Sequence, residues 1–220
     1  MKLTYKETSG IKATGAPLST DLFARLRKDI LQGILQPGGK LVEQQVCNQY
    51  QVSRTPVREA FKQLELEGLI EIIPNRGAFV IGFSSQDIED MYELRKSYEI
   101  LAVKWAILRM SKEDLEELEE AFEFMEFYTQ KNDMDKMLNI NTNFHQLIYA
   151  GAKNKMLMHV LSSYQLYIKQ SKVNQIYSDD YLPTILEEHR KIFHAFQNRD
   201  VEAGILAMSH HMDCSKTRAK

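Results

Sequence analysis

The chain has 220 residues, 28 Lys and Arg against 30 Asp and Glu, a formal net charge of −2, and 44% hydrophobic residues. That length suits one large core or two modest ones, and two are expected from the composition of an ordinary soluble globular protein. The segment Met1 to Glu7 has no apolar h-region, no apolar run approaches the roughly 18 residues of a membrane span, and Cys47 and Cys214 lack CxxC spacing. The expectation is a cytoplasmic protein with no membrane segment, no disulfide framework and no thiolate zinc site. Charge is uneven along it: residues 1–83 carry 11 Lys and Arg against 8 Asp and Glu, and residues 84–220 carry 17 against 22.

Residues 1–17 lack periodicity and read as an N-terminal arm. Ser19 or Thr20 is then expected to cap a first helix with Leu22, Leu26 and Ile30 on one stripe, ending at Gly33. The run from Gly33 to Leu41, with Pro37-Gly38-Gly39, reads as turn chemistry. A short helix from about Glu43 to Tyr50 follows. Three residues later Ser53 caps another helix, with Pro56 tolerated in its first turn and Val57, Ala60, Phe61 and Leu64 at helical spacing.

Arg54 and Arg58 lie four apart on the opposite face of that helix, with Ser53 and Thr55 beside them. Two guanidinium forks and two hydroxyls suit a DNA major groove, where Arg reads guanine in a bidentate manner and hydroxyls hold phosphates. The spacing of the two helices is that of a helix-turn-helix. Gly68 closes the second as a residue just past its C-terminus. Then Leu69 to Ile73, the turn Pro74-Asn75-Arg76-Gly77, and Ala78 to Ile81 read as strand, turn, strand, a wing with an Arg at its tip.

These residues carry a resemblance. Leu26-Arg27, Ile30-Leu31-Gln32-Gly33, Pro37-Gly38, Leu41, Glu43, Val52 to Ala60, Leu64-Glu65, Glu67-Gly68-Leu69 and Asn75-Arg76-Gly77 together resemble the winged helix of GntR-family bacterial transcription regulators. The resemblance implies DNA contacts from Ser53, Arg54, Thr55 and Arg58 on the recognition helix and from Asn75, Arg76 and Gly77 on the wing. Gln44 departs from it, since some relatives place a DNA-contacting arginine there.

After Phe83 the pattern changes. Ser84-Ser85-Gln86-Asp87 resembles a capping box, and the rest reads as consecutive helices without strand alternation. The first carries Met91, Tyr92, Arg95, Tyr98, Ala102 and Trp105 on one face. A second starts at Ser111, a third runs from about Asp133 to Tyr149, a fourth begins near Asn154, and two more flank Asn198-Arg199-Asp200. The fold class expected is mainly α: a winged helix-turn-helix over residues 18–83 with a small β-hairpin wing, then an all-α helical bundle over residues 84–220.

Three histidines occupy bundle positions that Leu would ordinarily fill. His145 shares a face with Met134, Leu138, Asn141 and Ile148; His189 with Ile185, Ile192 and Phe196; His211 with Val201, Gly204, Met208 and Met212. In an antiparallel hairpin rising about 1.5 Å per residue, His189 and His211 stand at the same height, roughly 15 Å from the turn at Asp200. His210 is turned away by about 100°, and His159 and His194 fall off these faces. No Asp or Glu is expected beside the three histidines, Glu188 being one step round its helix, which argues against a metallohydrolase with a general base.

This half resembles the FCD-type effector domain of the FadR subfamily, on Tyr92-Glu93-Leu94-Arg95, Tyr98-Glu99, Asn141 to His145, Asn154, Glu188-His189 and Asn198-Arg199-Asp200 with His211. In many such relatives an Asp and three His hold a divalent metal at the floor of a ligand cavity. The matching positions here are Asn141, His145, His189 and His211, for a divalent ion of the Zn, Ni or Mn class. Asn141 brings an amide oxygen where relatives bring a charge. Arg95 is either half of an i,i+4 pair with Glu99 or the partner of an effector carboxylate. The expected protein is a homodimeric regulator, with operator DNA and a small organic acid as partners. The rival readings are a metal-dependent hydrolase and a DNA-binding dimer without sensing.

Overall fold

The computed structural model describes residues 18–171 and 180–218. The arm expected over residues 1–17 lies outside them. The chain divides into two compact units, Met1–Gln86 and Asp87–Lys220.

In the first unit, α1 (Leu18–Leu31) buries Leu22, Leu26 and Ile30. Leu18, Ser19 and Thr20 are already helical, so neither Ser19 nor Thr20 is the cap that the sequence pattern suggested. The Gly33 to Leu41 connection is more than turn. Lys40 and Leu41 form β1, which pairs antiparallel with β3 (Gly77–Val80) at Lys40↔Phe79 and Leu41↔Ala78. β2 (Ile70–Ile73) pairs with the other edge of β3, so the sheet order is β1-β3-β2 and the wing is three-stranded. The wing turn uses positive φ at Asn75 (62°) and Gly77 (103°). At Gly77 the left-handed conformation strains any residue with a side chain, and a Cβ would stand 3.1 Å from Lys40 Cε.

α2 (Glu43–Tyr50) and α3 (Arg54–Leu66) are joined by a three-residue corner in which Gln51 takes φ 55° and both Gln51 and Val52 donate to the Cys47 carbonyl. Val46 and Tyr50 of α2 and Val57, Ala60, Phe61 and Leu64 of α3 point into one core with α1, Leu69, Ile70, Ala78 and Val80. Ser53 occupies the N-cap position with extended backbone, but its side chain makes no capping bond. Gly68, at φ 71°, stands just past the end of α3.

The second unit, which α4 (Ser85–Arg109) enters after its first two residues, is built among its described residues from helices joined by short turns: α4, α5 (Lys112–Gln130), α6 (Met134–Gly151), α7 (Lys155–Ser171), α8 (Tyr181–Gln197) and α9 (Val201–Arg218). Local chemistry sets the ends. Ser111 and Asp114 form a reciprocal capping box at α5, Asp133 accepts from Lys136 N–H at α6, and Asn154 accepts from Leu157 N–H at α7. The core is built of residues such as Ala102, Val103, Leu118, Met125, Phe144, Ile148, Tyr149, Ile192, Phe196 and Met208.

Gly204 lets α9 lie close on α4, because a Cβ there would fall 2.5 Å from Ile107 and 2.9 Å from Val103. Ion pairs Lys96–Asp213 and Lys216–Glu93, both at 2.7 Å, tie the other ends of the same two helices. That approach carries His211, two turns beyond Gly204, into the interior.

Candidate functional site

On the first unit, Ser53, Arg54, Thr55 and Arg58 are all exposed at the start of α3, and Asn75, Arg76 and Gly77 are exposed at the wing. A cleft of about 440 Å³ lies between them, lined by Lys40, Glu43, Arg58, Lys62, Asn75 and Arg76 among others. Lys40 and Arg76 both sit against the Phe79 ring, at 5.7 and 6.0 Å from its centroid. The two arginines of α3 are not loose. Arg58 donates from Nε to both oxygens of Glu43 at 3.0 and 3.1 Å, and Arg54 donates from Nη2 to Gln44 Oε1 at 3.0 Å. The bond to Glu43 holds the Arg58 guanidinium above its ordinary pKa.

In the helical unit, His145 from α6, His189 from α8 and His211 from α9 converge. One ring nitrogen from each lies within 4.8 Å of the others, and the residues are 2%, 0% and 5% exposed. Each ring is held from behind through Nδ1: His145 by Glu99 Oε2 at 3.3 Å, His189 by the Ile185 carbonyl at 2.8 Å, and His211 by Glu188 Oε2 at 2.8 Å. A carbonyl or carboxylate only accepts, so the proton of each neutral ring belongs on Nδ1 and the lone pair on Nε2. The Nε2 atoms of His145 and His189 then face each other at 3.3 Å with no proton to share. Three imidazole lone pairs turned on one point, each backed by an acceptor, is the donor set a divalent cation takes.

Asn141, one turn before His145 on α6, has a buried Oδ1 with no hydrogen-bond partner. A buried orphan oxygen one turn from His145 fits a fourth, uncharged ligand. His210, His194 and His159 are exposed and take no part.

The carboxylates correct the sequence-based expectation that none stands beside the histidines. Glu99, fully buried on α4, contacts His145, receives Arg95 Nε at 3.0 Å and Nη2 at 2.9 Å, and accepts from Tyr149 Oη. Burial works to raise its pKa, but His145, Arg95 and Tyr149 outweigh it and hold the carboxyl at about 2. Glu188, one step round α8, still reaches His211, and Arg218 grips it with two bonds at 2.6 and 2.8 Å. Against burial, Arg218 and His211 hold it at about 2 as well. The histidines go the other way. Burial, with help from neighbouring histidines, pushes His189 well below its ordinary range and brings His211 to about 4, despite the opposing bond to Glu188. Both therefore stay neutral, as metal ligands must.

The comparisons with known proteins cover both halves. Residues 18–80 match the model for bacterial regulatory proteins of the gntR family, and residues 90–213 match the FCD domain. The uncharacterized HTH-type transcriptional regulator YdhC of Bacillus subtilis is 30% identical over 202 residues, covering 90% of each chain. The chain belongs to the GntR family of regulators, with an FCD domain. The HTH-type transcriptional repressor RspR of Escherichia coli is 28% identical over 198 residues, covering 89% of this chain and 86% of its own. The E. coli McbR/YncC structure superposes with a TM-score of 0.69 at 22% identity, covering 93% of this chain and 97% of that one.

This GntR-family chain is thus a transcription regulator and not an enzyme, which removes the hydrolase reading although Glu99 and Glu188 do stand near the imidazoles. Neither carboxylate is poised as a base, since each is already bound to an Arg and a His. No helix among the described residues is long and apolar enough to cross a membrane. Sequence reasoning missed Lys40 at the wing, because a two-residue strand has no period to detect. It also missed Glu99 as a histidine partner, although its position four residues after the inward-facing Arg95 was the available signal.

Proposed function

We propose that this regulator binds a palindromic operator as a homodimer, most simply as a repressor, and that a small organic acid bound near a metal in the helical unit modulates it. The observation that carries the reading is the pairing within one chain of an exposed arginine-bearing α3 with a closed, acceptor-backed His145–His189–His211 triad. Ser53, Arg54, Thr55 and Arg58 would enter the major groove, and Asn75, Arg76 and Gly77 would meet the adjacent backbone. His145, His189, His211 and Asn141 would hold a divalent ion of the Zn, Ni or Mn class. Bound there, the ion acts as a Lewis acid toward an anionic oxygen ligand.

Charge supports an anionic effector. Arg95 and Arg218 balance Glu99 and Glu188, and imidazole ligands and Asn141 bring no negative charge, so a divalent ion would stand in the bundle without compensation. An acid effector supplies it. At Arg95 such an effector would meet a guanidinium already holding the Glu99 carboxylate. RspR is named a repressor and YdhC a regulator, in keeping with this reading.

The test is elemental analysis with native mass spectrometry of the purified protein, followed by metal titration of chelator-stripped chain. Retained divalent ion in a dimer is expected. Metal at about 100 times its Kd should stabilise the native state by about 2.7 kcal/mol, and His189→Ala should remove that shift while leaving effector-free DNA binding in place. A wild-type midpoint that ignores every divalent ion would sink the metal part of the proposal.

A further inference from the structure

Resting on the DNA-reading role of α3, we infer that Glu43 and Gln44, at the start of α2, are specificity-determining positioning residues that set how Arg58 and Arg54 meet base edges. Glu43 holds Arg58 by Nε alone, at 3.0 and 3.1 Å, and among the described residues Arg58 makes no hydrogen bond from its Nη atoms. Bidentate recognition of guanine needs two parallel N–H groups. With Nε tied to α2, the pair of terminal Nη groups is the one left for it. The long side chain then reaches the groove with much of its rotamer freedom already removed.

Gln44 does the corresponding work for Arg54 in a short relay. Its Oε1 accepts from Arg54 Nη2 and its Nε2 donates to Asn48 Oδ1, both at 3.0 Å, so the amide is oriented from both ends. Gln44 takes one of the two Nη2 hydrogens, so the other is left to form a parallel pair with a neighbouring N–H of the Arg54 fork for DNA. Gln44 serves as a neutral brace for the arginine ten residues on.

The two braces differ in charge, and that separates their effects. Glu43 places a carboxylate in the cleft shared with Lys40, Lys62 and Arg76, where it offsets the Arg58 charge and repels phosphate. It lowers sequence-independent attraction while fixing sequence-dependent geometry. Gln44 fixes geometry only.

The experiment enriches a randomised duplex library on the full-length protein. It then measures binding of wild type, Glu43→Ala, Glu43→Gln and Gln44→Ala to the enriched duplex, to single-base variants of it and to mixed-sequence duplex over a range of salt. Glu43→Ala should reduce discrimination at one guanine by about 10-fold, bind mixed-sequence duplex more tightly, and steepen the salt slope by about 1. Glu43→Gln, which keeps one acceptor for Nε, should recover part of the discrimination and keep the steeper slope. Gln44→Ala should lose discrimination at a different base with the slope unchanged. An unaltered base profile in both alanine variants would overturn the inference. So would a parallel loss of specific and non-specific binding with a lowered thermal midpoint, the mark of a merely structural role. Failure of the wild type to enrich any sequence would overturn the DNA-reading proposal itself.

Discussion

Arg54 and Arg58 of the winged unit are exposed and brace against α2, whereas His145, His189, His211 and Glu99 of the helical unit are each no more than 5% exposed. Of the nine buried polar or charged side chains among the described residues, only Arg27 belongs to the first unit. The winged unit therefore keeps an ordinary apolar core and carries its chemistry outside, while the helical unit spends its core on chemistry. Surface groups lose little hydration on folding, so changing them alters binding more than stability. Interior charges were taken out of water and each depends on its partner, so function and stability cannot be separated there.

The sharpest way to break that contrast is Glu99. It is fully buried and bonded to Arg95, Tyr149 and His145. Glu99→Ala leaves the Arg95 guanidinium buried and uncompensated, a loss of about 3–5 kcal/mol. Denaturant titration of chelator-stripped protein measures it, and a loss below about 1 kcal/mol would mean that solvent reaches Arg95 and that the interior is not closed.

Acidification probes the same interior without a mutation. His211 falls from 6.5 to about 4 in the folded state, and His189 moves in the same direction. Because the unfolded chain takes up protons first, the contribution of His211 is fully present above about pH 6.5 and is lost as pH falls toward 4. For that residue alone it is on the order of 3 kcal/mol. Glu99 and Glu188, held at about 2, extend the loss to still lower pH. Unfolding of metal-free protein between pH 7 and 4 should show a steady decline, and a His189→Ala/His211→Ala double variant should flatten it. A flat wild-type profile would place the two rings in contact with water.

What could be read from the sequence follows the same division. Helical spacing put His145, His189 and His211 on inward faces, and the hairpin about Asp200 put two of them level; their rings lie 4.5 Å apart between centroids. Periodicity says which way a side chain faces but not which helix lies opposite. The backing groups were therefore hidden: Glu99 is 46 residues from His145, and Glu188 reaches His211 from a position that a helical wheel places off the face. On the winged unit, turn residues announced the hairpin. β1 was invisible because two residues pair with β3 only after the chain has folded. The braces Glu43 and Gln44 were equally hidden, since they depend on the αL corner at Gln51 that turns α2 against α3.

The smallest stability effect expected is also the one that separates the two units most cleanly. Arg58 is exposed, and its partner Glu43 is itself partly hydrated. Arg58→Ala removes one solvent-screened ion pair and leaves Val57, Ala60, Phe61 and Leu64 packed as before, so the thermal midpoint should move by no more than ~2 °C. Sequence-specific DNA binding should nonetheless collapse toward the level seen with mixed-sequence duplex, because a missing bidentate guanine contact and a Glu43 carboxylate left bare beside the phosphates act together. Parallel thermal unfolding and fluorescence-anisotropy titrations measure the two quantities on the same preparation. If the midpoint falls as steeply as the affinity, Arg58 belongs to the fold of the winged unit and the division between surface chemistry and core chemistry fails there; if affinity survives, α3 is not the helix that enters the groove.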